Sequence, residues 1–284
     1  MNWERVKHTW PNASASRFVS VAPHQWFVQE TGTGGTVLLL HGAGGSSHSW
    51  RDVFPALADS FNVITIDLPG QGFTRLGAKS RCGIKDISAD IETLLGEIEA
   101  DSLQAIIGHS AGVAIALQLA LNGNCCSNET RIIGINAALG HFKGLAGMLF
   151  PVLAKALSRA PFIPEVFAQT ANADRLIAST GSKIDMAGME QYRQLIADPD
   201  HVAATLAMMS QWHLDPLLAA LPKINQKTLF LAGARDKTVP PDTSERAANR
   251  MPNATFECWE DFGHLIHEEV PEQIAARIRD FVLT

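Results

Sequence analysis

The chain has 284 residues, of which 46% are hydrophobic and 18% are charged, as in an ordinary globular protein with a sizeable core. Its formal net charge of −6, without any run of Lys or Arg, argues against a nucleic-acid partner. No apolar run approaches the ~18 residues that span a bilayer. The first residues lack the apolar segment of a signal peptide, so we expect a cytoplasmic protein.

Strand-like and helix-like segments alternate along most of the chain. The predicted strands cover residues 17–21, 25–29, 36–40, 62–66, 104–107, 131–136, 227–232 and 255–259. The predicted helices cover residues 50–59, 86–99, 111–121, 244–250 and 271–282. Such alternation predicts an α/β protein with a mostly parallel sheet that helices cover on both faces.

Residues 140–222 interrupt this alternation. They contain no clear strand, their apolar residues recur at helical spacing, and several prolines break the helices. A segment of this length is too long for a loop. We therefore predict a helical cap at residues 140–222, inserted into a core that is formed by residues 1–139 and 223–284.

A G-x-S-x-G motif, Gly108 to Gly112, joins the strand at 104–107 to the helix at 111–121. A strand that turns into a helix within so few residues holds its central residue in a strained conformation and exposes the side chain. The motif therefore predicts that Ser110 is a nucleophile at the N-terminus of a helix. The alternative is a polar residue in an ordinary strand-to-helix turn.

A serine nucleophile needs a base and a carboxylate, which in a parallel sheet gather at the carboxyl ends of strands. Asp236 directly follows the strand at 227–232, and we predict that it is the acid. His264 follows the strand at 255–259 and is the predicted base, while His267 remains an alternative. Asp242 lies where a helix starts and is better explained as a cap.

A glycine-rich loop, residues 41–46, follows the buried strand at 36–40. A nucleotide-binding loop is the rival interpretation, but the spacing of G-x-G-x-x-G and a following Gly-Lys-Ser/Thr are both missing. With a serine nucleophile, Ala43 of this loop and Ala111 after the serine would supply two backbone N–H groups to an oxyanion hole.

Other residues are candidates for lining a substrate pocket. His48 either lines the pocket mouth or begins a helix, and His109 is either structural or close to the reaction. Apolar cap residues would close a mainly apolar pocket, unless they pack inside the cap. The pocket candidates are His48, His109, Phe150, Met208, Met209 and Trp212.

Five motifs in this order resemble the α/β-hydrolase family over nearly the whole chain. They are residues 40–45, 67–72, 108–112, 233–236 and 263–264. The resemblance implies an eight-stranded, mostly parallel sheet, triad roles for Ser110, Asp236 and His264, and oxyanion-hole roles for Ala43 and Ala111. By the same resemblance, Asp67 and Gly70 belong to a structural loop, and Thr74 fits the small hydroxyl residue that usually follows it.

Two further stretches, residues 10–19 and 44–51, resemble a narrower group. This group is the α/β-hydrolases encoded among bacteriochlorophyll-biosynthesis genes, which are labelled accessory proteins of magnesium chelatase. The resemblance implies a link to tetrapyrroles and an association with magnesium chelatase, and it does not fix a substrate.

Three functions are compatible with these observations. The first is a serine hydrolase of an ester or related carbonyl substrate that is small and apolar. The second is a non-hydrolytic enzyme on the same fold, such as a lyase or a cofactor-free oxygenase. The third is a tetrapyrrole-binding accessory protein with little turnover. We predict neither a metal nor another cofactor, since the four cysteines have no metal-site spacing.

Residues 140–164 carry Lys143, Lys155 and Arg159 but no Asp or Glu, and most of their other side chains are apolar. A cationic rim on an apolar surface suits a flat ligand with carboxylates, such as a porphyrin, or an anionic membrane surface. The alternative is an ordinary cap helix whose lysines are solvated.

Overall fold

The computed structural model describes residues 1–140 and 162–284, and its eight strands form one sheet. The strands are β1 Ser16–Val21, β2 His24–Thr31, β3 Thr36–Leu40, β4 Asn62–Ile66, β5 Leu103–His109, β6 Arg131–Ile135, β7 Thr228–Gly233 and β8 Ala254–Trp259. Their order across the sheet is β1-β2-β4-β3-β5-β6-β7-β8. Only β2 is antiparallel to its neighbours β1 and β4, which confirms the mostly parallel sheet.

Helices connect most of the strands. In the described residues they are α1 Trp3–Val6, α2 Val53–Leu57, α3 Ile84–Glu97, α4 Ala111–Asn122, α5 Ile163–Thr170, α6 Ala173–Ser179, α7 Met186–Ile196, α8 Pro199–Ser210, α9 Asp215–Ala220, α10 Asp242–Ala248, α11 Ile266–Glu269 and α12 Pro271–Leu283. Short 3-10 helices cover Ala13–Ala15, Ser47–Trp50 and Leu221–Lys223.

The helix predicted at residues 50–59 is shorter than expected and is preceded by the 3-10 helix Ser47–Trp50. Pro55 explains the break, because proline has no N–H to donate to the carbonyl of Arg51 four residues earlier. The side-chain amide of Asn12 donates to that carbonyl instead, at 3.0 Å.

The central strands are buried on both faces because their side chains alternate between two apolar layers. Leu38, Leu40 and Ile106 pack in one layer with residues of α3 and α4. Leu39 and Ile107 pack in the other with residues of α2 and α12. This double burial explains why these strands are continuous apolar runs in the sequence.

Helices α5 to α9 lie between β6 and β7 and form a helical insertion, as predicted. The insertion lies against the carboxyl edge of the sheet, because His201 contacts the loops after β3 and β4 and Thr180 contacts the loops after β7 and β8. No helix in the two described ranges is long and apolar enough to cross a membrane.

We predict that Gly112→Ala destabilises the protein and that Gly96→Ala does not. A Cβ at Gly112 would lie 2.3 Å from the carbonyl oxygen of Leu40, so α4 would have to move away from β3. Overpacking of this kind costs about 1–3 kcal/mol, or a few degrees of Tm in a chain of this size.

Gly96 is the matched control, because it is also helical but a Cβ added there would meet nothing within 4 Å. Alanine there should be neutral or stabilise α3 slightly. Thermal unfolding followed by circular dichroism measures both variants, and an unchanged Tm for Gly112→Ala would contradict the close packing of α4 on β3.

Candidate active site

Ser110 stands between the end of β5 and the first residue of α4, with φ of 51° and ψ of −113°. A positive φ is rare for any residue with a Cβ, and here it turns the chain sharply from strand to helix. A Cβ at Gly108 would lie 2.6 Å from the backbone of Gly112, so the turn requires glycine at that position. The local structure is therefore the strained elbow that the motif predicts, and the Ser110 side chain is partly accessible.

The hydroxyl of Ser110 lies at one end of a chain of hydrogen bonds. Its Oγ is 3.1 Å from Nε2 of His264, and Nδ1 of the same ring is 2.7 Å from Oδ2 of Asp236. Because a carboxylate only accepts, Nδ1 carries the proton and Nε2 is left to accept from the serine. The fold thus brings together the three side chains that the sequence analysis selected.

Asp236 is held by donors on both of its oxygens. The backbone N–H groups of Thr238 and Val239 donate to Oδ1 at 2.7 and 2.8 Å. Besides His264, the side-chain amide of Asn136 donates to Oδ2 at 2.7 Å. These contacts fix the direction of the carboxylate toward the imidazole.

Asn136 was not identified in the sequence analysis. It directly follows β6 and has φ of 48°, a left-handed conformation that asparagine tolerates better than most residues. Its position directly after β6 could have identified it, because polar residues at the carboxyl ends of parallel strands often face a functional site.

Two other histidines lie behind His264. His109 donates from Nε2 to the backbone carbonyl of His264 at 2.9 Å, so it supports the loop of the base. His267 packs against Trp50 and His109, with ring centroids at 4.6 and 4.3 Å. Burial lowers the pKa of both rings well below the usual value, so both are neutral. Within the described part of the chain, neither ring nitrogen of His267 has a hydrogen-bond partner.

A turn of the insertion secures the loops of Asp236 and His264. The carbonyl of Thr180 accepts the N–H of Lys237 at 3.1 Å and that of His264 at 3.4 Å. The hydroxyl of Ser182 accepts the N–H of Leu265 at 2.7 Å. Nothing in the sequence pattern pointed to this turn, because the contacts join segments far apart in the chain.

The glycine-rich loop after β3 lies directly against the elbow. A Cβ at Gly42 would lie 2.9 Å from Cβ of Ser110, so no larger residue fits there. His41 secures the base of the loop, since Nδ1 donates to the Gly42 carbonyl at 2.7 Å and Nε2 accepts the N–H of Leu68 at 2.9 Å. Burial lowers the pKa of His41 to about 3, which keeps it neutral.

Two backbone N–H groups of this loop, and that of the following Ser47, already have acceptors. Those of Gly44, Gly45 and Ser47 donate to Gln71, Gly42 and Asp67. Among the residues that the structure describes, the N–H of Ala43 has no acceptor. Ala111 is the first residue of α4, and its N–H belongs to the first turn, where the helix supplies no acceptor.

The loop after β4 supports the glycine-rich loop from outside. Asp67 is fully buried and accepts the N–H groups of Ser47 and Phe73 at 2.6 and 2.8 Å. Burial raises the pKa of this carboxyl to about 6. Thr74 accepts the N–H of Phe27 at 2.9 Å, and Gly70 has φ of 75°. Their contacts make them structural residues, as the resemblance implies.

The candidate pocket residues are spread over different places. His48 has no accessible surface and packs between Trp10 and Tyr192, so it belongs to a buried cluster. Met208 is buried against the amide of Gln71, whereas Met209 and Trp212 are half-buried. Phe150, like Lys143, Lys155 and Arg159, lies outside the described residues.

A cavity of about 960 Å³ opens between the N-terminal residues, the loop after β4 and α8. Its walls include His201 and Gly72, but none of Ser110, Asp236 and His264. In the described ranges, no group of His, Cys, Asp or Glu is arranged to hold a metal ion. The hydrogen-bonded series from Ser110 through His264 to Asp236 is an arrangement that can activate a serine hydroxyl.

Comparison with known proteins identifies the family. The family model described as "alpha/beta hydrolase fold" matches residues 35–271. A Rhodobacter capsulatus protein named "Magnesium-chelatase 30 kDa subunit" is 42% identical over 279 residues, which cover 96% of each chain. The "Uncharacterized hydrolase YugF" of Bacillus subtilis is 26% identical, over 87% of this chain and 89% of its own.

Solved structures agree on the fold. A structure from Acinetobacter baumannii AYE described as a "putative lipase (lip1)" superimposes with a TM-score of 0.80 at 19% identity, covering 100% of this chain and 96% of the other. An esterase from Thermogutta terrifontis gives 0.72 at 24% identity, covering 94% and 97%. The chain therefore belongs to the α/β-hydrolase family and, within it, to the narrower group that includes the Rhodobacter capsulatus protein.

Proposed function

We propose that the protein is a serine hydrolase that cleaves an ester or a related carbonyl substrate through an acyl-enzyme. The observation that carries the proposal is the hydrogen-bonded series from Ser110 Oγ through His264 to Asp236, with distances of 3.1 and 2.7 Å. In this function Ser110 is the nucleophile, His264 is the general base and Asp236 holds the imidazole in its productive tautomer.

The reaction follows from the positions of these groups. His264 Nε2 takes the proton of Ser110 as its Oγ attacks the carbonyl carbon, and then gives it to the leaving alkoxide. The N–H groups of Ala43 and Ala111 stabilise the negative charge on the carbonyl oxygen, each typically contributing about 3 kcal/mol. Water then attacks the acyl-enzyme with the same histidine as base.

We infer the substrate class from the Rhodobacter capsulatus relative and not from the triad. A protein that is 42% identical is named as a magnesium-chelatase subunit, which favours a tetrapyrrole-linked role and an association with magnesium chelatase. We therefore propose an apolar ester, in particular a tetrapyrrole carrying an esterified carboxylate. A cationic, apolar segment at residues 140–164 would suit such a ligand, although Lys143, Lys155 and Arg159 lie outside the described residues.

The same relative supports a second candidate, a tetrapyrrole-binding accessory protein with little turnover. The two candidates differ in whether Ser110 reacts. In the second, the elbow would be retained for its shape, and the pocket would hold the ligand without cleaving it.

We expect a fluorophosphonate probe to label the protein on Ser110. Ser110→Ala should abolish labelling, and His264→Ala should slow it by about 10²–10⁴, because the members of a triad act as a unit. Asp236→Asn should also slow it strongly, since the imidazole would lose its orienting acceptor.

Two variants serve as controls for this labelling. Asp242 pairs with Arg246 on the exposed side of α10, so Asp242→Asn should label as the wild type does. His267→Ala tests the alternative base. Undiminished labelling of Ser110→Ala would exclude Ser110 as the nucleophile. Labelling that depends on His267 but not on His264 would assign the role of base to His267.

Asn136→Ala should lower kcat about 10–100-fold with little change in KM, because a hydrogen bond to a charged group contributes about 1.5–3 kcal/mol. Asn136 orients Asp236 and does not touch the substrate in this mechanism. Asn253→Ala is the matched control, since it removes an amide-to-carbonyl bond of 2.7 Å far from the site. Equal kinetics for the two variants would mean that Asn136 does not position the acid.

A porphyrin dimethyl ester separates the two candidate functions. The hydrolase should release methanol and free carboxylate from it, measured by chromatography, and Ser110→Ala should bind the ester without releasing methanol. Binding by both proteins with no methanol from either would favour the accessory protein. Hydrolysis of simple aryl esters without any porphyrin binding would support the hydrolase function and exclude a tetrapyrrole substrate.

A further inference from the structure

One buried histidine of the insertion joins two loops of the core. His201 lies in the first turn of α8, where the carboxylate of Asp198 caps the helix by accepting its N–H at 2.9 Å. Its Nδ1 accepts the N–H of Gly72 at 3.0 Å, and its Nε2 is 3.2 Å from the carbonyl oxygen of Gly44. Because Nδ1 is the acceptor, Nε2 carries the proton and donates to Gly44.

These contacts hold the backbone next to Ala43. The carbonyl of Gly44 is bound by His201, and its N–H donates to the side chain of Gln71 at 2.7 Å. Gln71 and Gly72 belong to the same loop after β4. The residue that follows Ala43 is therefore fixed from both sides, once by the insertion and once by the neighbouring loop.

The charge state of His201 suits this task. Burial lowers the pKa of the ring to about 4, and the hydrogen bond to the Gly44 carbonyl and the carboxylate of Asp198 oppose that shift only in part. His41, which also lies near, is neutral. A neutral ring has one donor and one acceptor, which match one carbonyl and one N–H.

We propose that His201 is a positioning residue for the reaction: by binding Gly44 and Gly72 it holds the glycine-rich loop where the N–H of Ala43 meets the developing oxyanion. The inference rests on the proposed serine hydrolase function. It gives the insertion a part in catalysis, since the side chain of His201 joins α8 to the loop that carries Ala43. A contact that orients a donor should affect the transition state more than the bound substrate.

Two conservative substitutions test the two hydrogen bonds of His201 one at a time. His201→Gln places an amide donor near the position of Nε2 and keeps the bond to Gly44. His201→Asn places an acceptor near the position of Nδ1 and keeps only the bond from Gly72. His201→Leu removes both, and Tyr192→Phe is the control, because it removes a different buried bond between insertion and core, 2.7 Å from the phenol to Glu268.

The variants are compared with an aryl ester substrate and with an aryl trifluoromethyl ketone, whose adduct with Ser110 carries an oxyanion. We expect kcat of His201→Asn and His201→Leu to fall about 10–100-fold, with KM within about 3-fold, as for a weakened oxyanion-hole donor. The inhibition constant for the ketone should rise in parallel. His201→Gln should keep kcat within about 5-fold, as expected for a retained hydrogen bond.

A purely structural role predicts a different result. Thermal unfolding would then show the same loss for His201→Leu and Tyr192→Phe, and kcat and ketone binding per folded molecule would be unchanged in both. That outcome would overturn the proposal while leaving the hydrolase function in place. Wild-type protein that neither hydrolyses esters nor reacts with a fluorophosphonate at Ser110 would overturn the hydrolase function and this inference together.

Discussion

The strained backbone at Ser110 is the constraint on which the site depends. A positive φ at a residue with a Cβ costs about 1–3 kcal/mol, and the surrounding structure supplies the compensation. The N–H of Ser110 donates to Ile135 at 2.9 Å, and its carbonyl accepts from Val113 and Ala138 at 3.2 Å. The elbow thus holds β5, β6 and α4 together, and moving the serine would disturb all three.

Burial keeps the histidines around the candidate site neutral. His41, His109, His201 and His267 surround the site, and burial lowers the pKa of each, so none carries a charge at neutral pH. These rings contribute shape and hydrogen bonds, whereas His264 contacts both Ser110 and Asp236.

Sequence patterns were sufficient for the sheet and for the three triad candidates, because each depends on a local signal. Double burial made β3 and β5 visible as apolar runs, and the ends of β7 and β8 indicated Asp236 and His264. Thr180 and His201 were not predicted because their partners lie far away in the chain, 129 positions in the case of His201 and Gly72. Asn136 could have been predicted from its position at the carboxyl end of β6. His48 was a pocket candidate because nothing in the sequence indicated that it packs between Trp10 and Tyr192.

The way the insertion is attached bears on where substrate selectivity resides. Arg51 of the core contacts Asp185, which caps α7, and Glu268, whose other oxygen accepts from Tyr192 at 2.7 Å. Burial raises the pKa of Glu268 to about 7, so its charge depends on Arg51, which opposes the shift.

Separating such a buried pair leaves an uncompensated charge that costs about 3–5 kcal/mol. These contacts attach helix α7 to the core. Both the Acinetobacter baumannii structure, at 19% identity, and the 42% identical Rhodobacter capsulatus protein align over nearly the whole chain. The candidate triad and its loops are compatible with many carbonyl substrates, so substrate selectivity depends on residues outside them.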